Sequence, residues 1–422
     1  PATATCPAVP PRAAPDPNRP SYVMDLHVDL DNNVVDGRET VRFTPDIATD
    51  RLVFRLWPNG PRSAAAGARL DVSAVYLARA APAPMQRPNA TTLVVPLDHP
   101  LAAGETIEAT VPFRLTLPGP TKDRISRRGD TVRLGTFHPL LAWAPGVGWA
   151  TEPPTALSAE ATTAPVADWS VAVSAPPGLT VLASGASTAG RWIAGAMREF
   201  TIAIGRFRVV TGTAHAPQPV AVTVAVEGGL TDDPNPYLAT AIRALDDFGA
   251  RFGPYPFDRF TLALTPDLTG GIEYPSFVHQ GPRTGGRTTP HEIGHQWFYA
   301  LVGNDQGRDP WIDEGLATWA EARFLGNLGA FVARPIPADA RGRAGEPMTY
   351  WDARAASYYA GVYVQGAQAL AALGSPELVD CALRQLVARD AYRIATRADV
   401  IDALGVVFPD APAVLARYGI AP

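Results

Sequence analysis

Two histidines and a glutamate stand in the order His291-Glu292-x-x-His295 within the stretch PHEIGHQWFYALVGNDQGRDPWIDEGLATWAE. Residues four apart lie on the same face of an α-helix, so the two imidazoles are predicted to point to one place. Glu314 follows His295 after eighteen intervening residues. Two imidazole nitrogens, one carboxylate oxygen and an open fourth position form the ligand set of a catalytic zinc site. The spacing therefore predicts a Zn2+ ion bound by His291, His295 and Glu314.

Two helices are predicted to position these ligands. Thr289 is expected to cap a first helix that spans residues 290–302. Asp309 is expected to start a second helix, which carries Glu314 and Glu321 on one face. Glu321 is either an acceptor for a ligand imidazole or a glutamate that faces solvent.

The same residues allow a purely structural interpretation, in which two core histidines lie beside a Glu292 that forms a capping box with Thr289. The chain has only seven histidines, so a chance match to HExxH occurs in roughly one such chain in a hundred or fewer. The metal interpretation is therefore preferred. In it, Glu292 takes a proton from a zinc-activated water as general base.

The surrounding elements divide the chain into two parts that follow a leader. Residues 1–20 are rich in Pro and Ala and are predicted to be flexible. Residues 21–211 contain short alternating runs such as YVMDLHVDLDNNVVDGRETVRFT, which indicate a β-rich N-terminal domain. Residues 212–422 add helical patterns such as PYLATAIRALDDFGARFG to strand-like runs, which indicates an α+β domain.

Composition and charge argue against two classes of partner. The formal net charge is −5, and no basic cluster is longer than RISRRGD, so nucleic acid is not expected as a partner. No run approaches the roughly 18 apolar residues that span a bilayer. We therefore expect a soluble protein without a membrane partner.

The cysteines and the leader bear on the cellular compartment. Cys6 and Cys381 are the only cysteines, and they fit either one disulfide in an oxidising compartment or two free thiols. Lys122 is the only lysine against many arginines, which suggests a GC-rich bacterial genome. With the Pro/Ala-rich leader, this favours a secreted or otherwise extracytoplasmic bacterial protein.

Two further motifs extend the zinc spacing to a family resemblance. GGIEYPSF, upstream of the histidines, is similar to a G-x-M-E-N motif, and VYVQGA, downstream, is similar to a Y-x-K-G-A element. Together with HExxH and WIDEGLATW, they make the chain resemble the gluzincin aminopeptidases, the family of aminopeptidase N and the leukotriene-type hydrolases. The resemblance covers most of the chain from about Tyr22. It implies a multidomain fold, with an all-β saddle-like N-terminal domain before an α+β, thermolysin-like zinc peptidase domain.

The resemblance also implies roles for individual residues. Glu273 would bind the free α-ammonium of a peptide, and Gly271, Ile272 and Tyr274 would shape the substrate slot around it. The Tyr363 hydroxyl would help zinc to hold the oxyanion that forms during hydrolysis. The expected protein is a zinc-dependent aminopeptidase, a monomer, whose partners are peptides with a free N-terminus.

The chain departs from the family pattern in ways that leave alternatives open. Ile272 and Tyr274 stand where the family has Met and Asn, and Gln365 stands where Lys is usual. An endopeptidase, or a hydrolase of a non-peptide substrate, could use the same zinc site. A non-catalytic module in which metal only stabilises the fold is disfavoured by the presence of Glu292 and Tyr363. No large helical C-terminal domain is expected, so the protein should be an open, two-domain member.

The remaining candidates have less support from spacing. Tyr358 and His279 are further residues that could line the site. The other histidines lack metal-ligand spacing and are expected at the surface or in turns; they are His27, His99, His138 and His215.

Overall fold

The computed structural model of the chain describes residues 5–77, 81–157 and 162–422. Its first part consists mainly of β-strands, as predicted. In chain order the strands are β1 Ser21–Asp29, β2 Val34–Phe43, β3 Thr49–Arg55, β4 Arg69–Val72, β5 Tyr76–Leu77, β6 Gln86–Asn89, β7 Thr92–Leu101, β8 Ile107–Thr116, β9 Ile125–Arg128, β10 Thr131–Leu134, β11 Leu140–Leu141, β12 Trp143–Ala144, β13 Gly148–Trp149, β14 Ala167–Ser174, β15 Thr180–Ala183, β16 Ala186–Thr188, β17 Arg191–Met197 and β18 Ile202–Gly205. A 3-10 turn at Trp57–Asn59 and helix α1 at Pro61–Ala65 interrupt them.

The largest sheet of this part has eight strands in the order β16-β17-β14-β1-β2-β8-β4, with β5 also paired to β8. Two four-stranded sheets have the orders β15-β18-β10-β9 and β11-β3-β7-β6. Strand β1 shows why these segments form sheets, because every second residue is buried and the residues between face outwards. Tyr22, the first buried residue of β1, stacks on Trp169 of β14 at 4.0 Å between ring centroids.

The second part mixes strands with helices. Its strands are β19 Phe207–His215, β20 Pro219–Glu227, β21 Arg259–Leu264, β22 Gly271–Tyr274, β23 Phe277–Gln280, β24 Gly303–Asn304 and β25 Ile394–Ala395. Its helices are α2 Pro234–Phe252, α3 Gly285–Gly294, α4 Pro310–Leu325, α5 Leu328–Val332, α6 Met348–Asp352, α7 Ala355–Tyr359, α8 Gln365–Ala371, α9 Pro376–Asp390, α10 Arg397–Gly405 and α11 Ala411–Ala416, with a π-helical turn at Ala360–Val364 between α7 and α8. None of the helices that the structure describes is both long and apolar enough to cross a bilayer.

A five-stranded sheet, ordered β19-β20-β21-β23-β22, supports the helices of the second part. Strands β20, β21 and β23 run parallel to one another, whereas the outer pairs are antiparallel. Strand β22 is therefore an edge strand. Helix α2 packs on β19 and β20, and α3 lies against α2, α4 and β22.

Two observations bear on the predicted organisation of the chain. Strand β19 spans Phe207–His215 and pairs with β20, so the predicted boundary between residues 211 and 212 falls inside this strand. The leader is attached to the second part of the chain, because Cys6 forms a disulfide with Cys381. Ala13 N also donates a hydrogen bond of 2.8 Å to Ala388 O, which ties the leader to α9.

Helices α4 and α8 touch backbone to backbone. A Cβ atom on Gly366 would lie 2.7 Å from Gly315 Cα, and one on Gly315 would lie 3.1 Å from Gly366 Cα. Only glycine at both positions permits this approach. Gly315 follows Glu314 and Gly366 lies three residues after Tyr363, so the contact sets the distance between the elements that carry two predicted site residues.

We predict that Gly366→Ala lowers the free energy of unfolding by about 1–3 kcal/mol, because the added methyl group forces two packed helices apart. Denaturant unfolding of the purified protein measures this change. Gly329→Ala in α5 is the matched control, since no atom lies within 4 Å of a Cβ built there. Equal stabilities for the two variants would contradict the proposed close packing.

Candidate metal centre and active-site cleft

Helix α3 carries both histidines, but it spans Gly285–Gly294 rather than the predicted residues 290–302. Thr289 does not cap it, and no capping box forms. Instead, the Thr289 hydroxyl donates to the Gln280 carboxamide oxygen at 3.2 Å and accepts from its nitrogen at 3.0 Å. The local capping signal is thus overridden by a bond to strand β23, and the helix begins more than one turn earlier.

The end of α3 also differs for a tertiary reason. Beyond His295 the backbone widens, and Ala300 N donates to His295 O at 2.9 Å. The buried guanidinium of Arg198 binds the carbonyl oxygens of this segment, with Nε 2.8 Å from Tyr299 O and Nη2 3.2 Å from Leu301 O. These contacts draw the segment towards the β-rich part and replace a regular helix.

The three predicted metal ligands converge. His291 Nε2 lies 3.1 Å from Glu314 Oε2, His295 Nε2 lies 3.3 Å from the same oxygen, and the two imidazole Nε2 atoms are 3.3 Å apart. A tetrahedral zinc ion with nitrogen and oxygen ligands requires ligand atoms about 3.3 Å from one another. Burial acts to raise the pKa of Glu314, but the two imidazoles outweigh it and hold that pKa well below its usual range. The donor set and its spacing therefore fit zinc.

A chain of hydrogen bonds orients His295. Its Nδ1 lies 2.6 Å from Asp313 Oδ1, and the other oxygen of Asp313 accepts from Gln306 Nε2 at 2.5 Å. Gln306 in turn accepts from the backbone nitrogen of Thr162 at 3.0 Å. Because Nδ1 is engaged, Nε2 is the nitrogen that faces Glu314. Asp313 directly precedes Glu314, but no spacing in the sequence predicted its role.

His291 has a different support. Its Nδ1 lies 3.3 Å from Glu321 Oε2, and the other oxygen of Glu321 accepts from Arg287 Nε at 2.5 Å. Glu321 is buried, so the interpretation as a solvent-facing glutamate is wrong. Its carboxylate lies beside the ligand imidazole, which is the position that the spacing allowed. Arg287, one helical turn before His291, was missed, although that spacing places it on the same helix face.

Glu292 lies against strand β22. A Cβ atom on Gly271 would come within 2.4 Å of Glu292 Cγ, so only glycine leaves room for this carboxylate. Burial raises the pKa of Glu292 to about 7. Both residues line the same cavity as the three ligands, so the carboxylate can exchange a proton with a molecule bound there.

Glu273 lies in the same strand, β22. It is buried, and its Oε1 has no hydrogen-bond partner among the residues that the structure describes. Burial raises its pKa to about 8, although His295 and Arg124 act in the opposite direction. Glu273 and Ile272 both line the cavity. A cationic group entering the cavity would find an unpaired carboxylate oxygen here.

Tyr363 reaches the centre from the π-helical turn Ala360–Val364. Its hydroxyl donates a hydrogen bond to Glu314 Oε1, and its ring stacks on His291 with 5.6 Å between centroids. Such turns often occur at functional sites, because the extra residue re-aims one side chain. Gln365, which replaces the family's lysine, points away and bonds Ala340 O at 2.9 Å.

These residues border a cavity of about 480 Å³. Both parts of the chain contribute to its lining. The β-rich part supplies residues that sequence analysis did not predict, namely Arg62, Lys122, Asp123 and Arg124. From the helical part, Arg287 and Tyr359 add a cation and a phenol. No local spacing motif connects these two sets, because they meet only through the fold.

Other expected site residues lie elsewhere. Tyr274, predicted to shape the slot, does not line the cavity: its hydroxyl lies 3.3 Å from Arg124 Nη1, and its ring is buried. His279 is also buried away from the cavity, 2.9 Å from the Thr201 hydroxyl. Tyr358 does not line the cavity, whereas its neighbour Tyr359 does.

The prediction of a surface or turn position for His138 is wrong. The side chain is buried, and its Nδ1 lies 2.8 Å from Glu39 Oε2 within the β-rich part. Neither residue lines the cavity. His138 is therefore a core histidine satisfied by a carboxylate.

No protein-family model matches the sequence. Curated proteins match short segments of it. Aminopeptidase B of Homo sapiens is 36% identical over 81 residues, which are 17% of this chain and 12% of that protein. Probable M1 family aminopeptidase 1 of Encephalitozoon cuniculi is 41% identical over 46 residues, 11% of this chain and 5% of that protein. The chain thus matches only a small fraction of these relatives' own lengths.

Solved structures resemble nearly the whole chain. An M1 zinc metallopeptidase from Deinococcus radiodurans aligns with a TM-score of 0.70 at 19% identity, over 96% of this chain and 94% of that one. A variant of it bound to a Tyr-Ser-Ala substrate aligns with a TM-score of 0.71 at 20% identity, over 96% and 95%. The resemblance that the motifs predicted is therefore confirmed in the fold. The chain has the two-domain fold of these M1 zinc metallopeptidases, with a sheet-rich N-terminal part and a helical C-terminal part.

Proposed function

We propose that the chain is a zinc-dependent aminopeptidase that hydrolyses N-terminal peptide bonds. The observation that carries this proposal is the convergence, in one cavity, of three ligand atoms with the further buried carboxylates of Glu292 and Glu273. Among solved structures of the same fold, one from Deinococcus radiodurans is bound to Tyr-Ser-Ala, and a two-domain M1 zinc metallopeptidase variant is bound to L-arginine. Those ligands support a peptide as the substrate of this chain.

His291, His295 and Glu314 would hold the metal. Two imidazoles with one carboxylate favour zinc over magnesium or calcium, which prefer oxygen ligands alone. When bound, zinc supplies Lewis acidity that makes water more acidic and polarises the scissile carbonyl. Asp313 and Glu321 would keep the imidazoles in the orientation and tautomer that this binding requires.

Glu292 would act as general base and then as general acid. Its carboxylate borders the cavity beside the ligands and can accept a proton from the attacking water. The same group can then donate this proton to the leaving amine. Gly271 keeps the opposite wall close, so the carboxylate stays aimed at the reacting centre.

Glu273 would recognise the free α-ammonium of the peptide. An aminopeptidase must hold this cation one residue from the scissile carbonyl, and a buried carboxylate is a strong partner for it. Glu273 lies on an edge strand, so the peptide backbone can align along β22 as an added strand. This arrangement fixes which bond reaches Glu292.

Tyr363 would stabilise negative charge on the carbonyl oxygen. Its hydroxyl already lies beside Glu314, at the same centre. A hydrogen bond from this phenol strengthens as the oxygen becomes an oxyanion, so it favours the transition state over the bound substrate.

We also infer the protein's setting and finer fold. The Cys6–Cys381 disulfide supports a secreted or extracytoplasmic location, because such bonds persist in oxidising compartments. The arginine-rich composition supports a bacterial source. The packing of α3 and α4 below a mixed sheet supports a thermolysin-like catalytic part. We expect a monomer.

We predict that Asp313→Asn weakens zinc binding by roughly 10- to 100-fold, because His295 loses the carboxylate that fixes its Nδ1. Competition with a chromogenic chelator measures this affinity without reference to activity. Asp402→Asn, a surface change on α10, is the control and should bind zinc as the native protein does. Unchanged affinity in Asp313→Asn would show that His295 needs no such support.

We predict that Glu292→Gln keeps zinc but lowers turnover by roughly 10²-fold or more, since the amide cannot accept the proton. Metal analysis and the rate on a fluorogenic aminoacyl substrate are measured on the same preparation. The exposed Glu377→Gln serves as the matched control. Native-like turnover in the zinc-loaded variant would remove Glu292 from the mechanism.

We predict that acetylating the substrate's amine abolishes cleavage. We also predict that Glu273→Gln lowers kcat/KM on free-amine peptides by a factor that corresponds to about 2–5 kcal/mol of lost transition-state stabilisation. The physical reason is loss of the ammonium–carboxylate contact. Paired kinetics on free and acetylated peptides provide the measurement. If the native protein cut both equally well, an endopeptidase would replace the proposed aminopeptidase.

A further inference from the structure

Charged groups follow one another along the cleft in a fixed order. The carboxylate oxygens of Glu273 lie on the His295 side, within 4.8 Å of its imidazole at their nearest ligand atoms. On the other side, His291 contacts Glu321, which binds Arg287. The metal ligands therefore lie between the buried carboxylate of Glu273, with Arg124 nearby, and the guanidinium of Arg287.

Arg287 is held in place but remains accessible. Its Nε and Nη2 bind the two oxygens of Glu321 at 2.5 and 3.3 Å, and Nη2 also donates to the Tyr359 hydroxyl at 2.5 Å. The ring of Phe331 lies 5.4 Å from its guanidinium carbon. Nη1 makes no hydrogen bond to any residue that the structure describes, and 48% of the side chain is exposed. One edge of a fixed guanidinium is thus open to the cleft.

A second guanidinium, that of Arg334, also contacts the Tyr359 side chain. Arg334 Nη1 donates to the Tyr359 hydroxyl at 3.3 Å, and its guanidinium carbon lies 5.6 Å from the ring centroid. Over the described ranges 5–77, 81–157 and 162–422, no carboxylate forms a salt bridge with Arg334. Two cations therefore contact Tyr359, and Glu321, the carboxylate that pairs with Arg287, also lies against His291.

We propose that Arg287, Tyr359 and Arg334 form an anion subsite that binds a carboxylate on the leaving side of the scissile bond. This inference rests on the proposed aminopeptidase function and specifies its substrate class. A fixed guanidinium edge beside a phenolic hydroxyl matches the geometry of a carboxylate, and a second cation adds attraction. The preferred substrates are short peptides whose carboxylate lies one or two residues beyond the cleaved bond.

The position of Arg287 sets this length. It precedes His291 by four residues on the same helix, a rise of about 6 Å. An extended peptide covers about 3.3–3.6 Å per residue. The carboxylate can be the C-terminus of a dipeptide or tripeptide, or the side chain of an acidic residue after the cleaved bond. Both sources offer the same chemistry, and two pairs of peptides separate them.

Binding is measured by calorimetry on the zinc-loaded Glu292→Gln variant, which keeps the cleft without turnover. The first pair is Ala-Ala-Ala and its C-terminal amide, and the second is Ala-Asp-amide and Ala-Asn-amide. We expect the carboxylate member to bind about tenfold more tightly in at least one pair, the lower end for a hydrogen bond to a charged group. The pair that shows the preference identifies the source. Equal binding in both pairs overturns the subsite.

Two substitutions connect the preference to these residues. Arg287→Gln should abolish the preference for the carboxylate peptide. Zinc content is measured in this variant, because Glu321, which contacts the metal ligand His291, loses its partner. Arg334→Gln leaves the Glu321 pair intact and should reduce the preference by roughly two- to fivefold. Arg341→Gln, in the same loop but bonded to Ile336 O, should leave the preference unchanged. A full preference in both Arg287→Gln and Arg334→Gln overturns the assignment.

Kinetics of the native protein on the same peptides separate this inference from the proposed function. If the carboxylate and amide peptides bind equally well and are cleaved at equal rates, the anion subsite is contradicted but the proposed aminopeptidase activity is not. Cleavage of none of them by zinc-loaded protein removes the proposed function, and the substrate class falls with it.

Discussion

Charge compensation at the centre of the cleft is the constraint on which the rest of the structure depends. Several carboxylates are buried around two imidazoles, namely Glu273, Glu292, Asp313, Glu314 and Glu321. An ionised carboxylate removed from water costs several kcal/mol unless a cation or hydrogen bonds offset it. Burial raises the pKa of Glu273 to about 8 and that of Glu292 to about 7, although nearby imidazoles act in the opposite direction. A zinc ion between His291, His295 and Glu314 would therefore stabilise the fold as well as serve the proposed chemistry.

The β-rich part supplies positively charged side chains, Arg124 and Arg198, that act on this centre. Arg124, next to β9, lies close enough to Glu273 to lower its pKa against the effect of burial. Arg198 is fully buried and binds backbone carbonyls after α3, while the positive charge also faces Asp313. A hydrophobic core continues from β1 through to α10. Because compensation crosses the boundary, neither part could hold the cleft in this form alone.

The sequence predicted what depends on local periodicity and missed what depends on long-range contacts. Helical spacing was enough to bring His291 and His295 together, and alternation was enough to identify the sheet-rich part. Other features join segments that are distant in sequence, and no local pattern predicts them. They are the strand order, the hydrogen bond between Thr289 and Gln280, and the hydrogen bonds that link Asp313 through Gln306 to Thr162. The position of Tyr274 is a further example, because its hydroxyl lies beside Arg124 of the β-rich part, 150 residues earlier in the chain.

The two ends of the cleft arise from one short segment of chain. Glu273 lies on edge strand β22, and Arg287 lies in the first turns of α3, fourteen residues later. The segment between them turns through β23, so the carboxylate and the guanidinium come to lie on opposite sides of the histidines. A small peptide carries an ammonium at one end and a carboxylate at the other. Its ammonium would face Glu273, and its carboxylate would face Arg287. Each end of the cleft would discriminate against a substrate that lacks the matching charge, because Glu273 would keep a buried oxygen without a partner and Nη1 of Arg287 would gain no hydrogen bond. In this arrangement, selectivity for chain ends follows from the same charge compensation that shapes the centre.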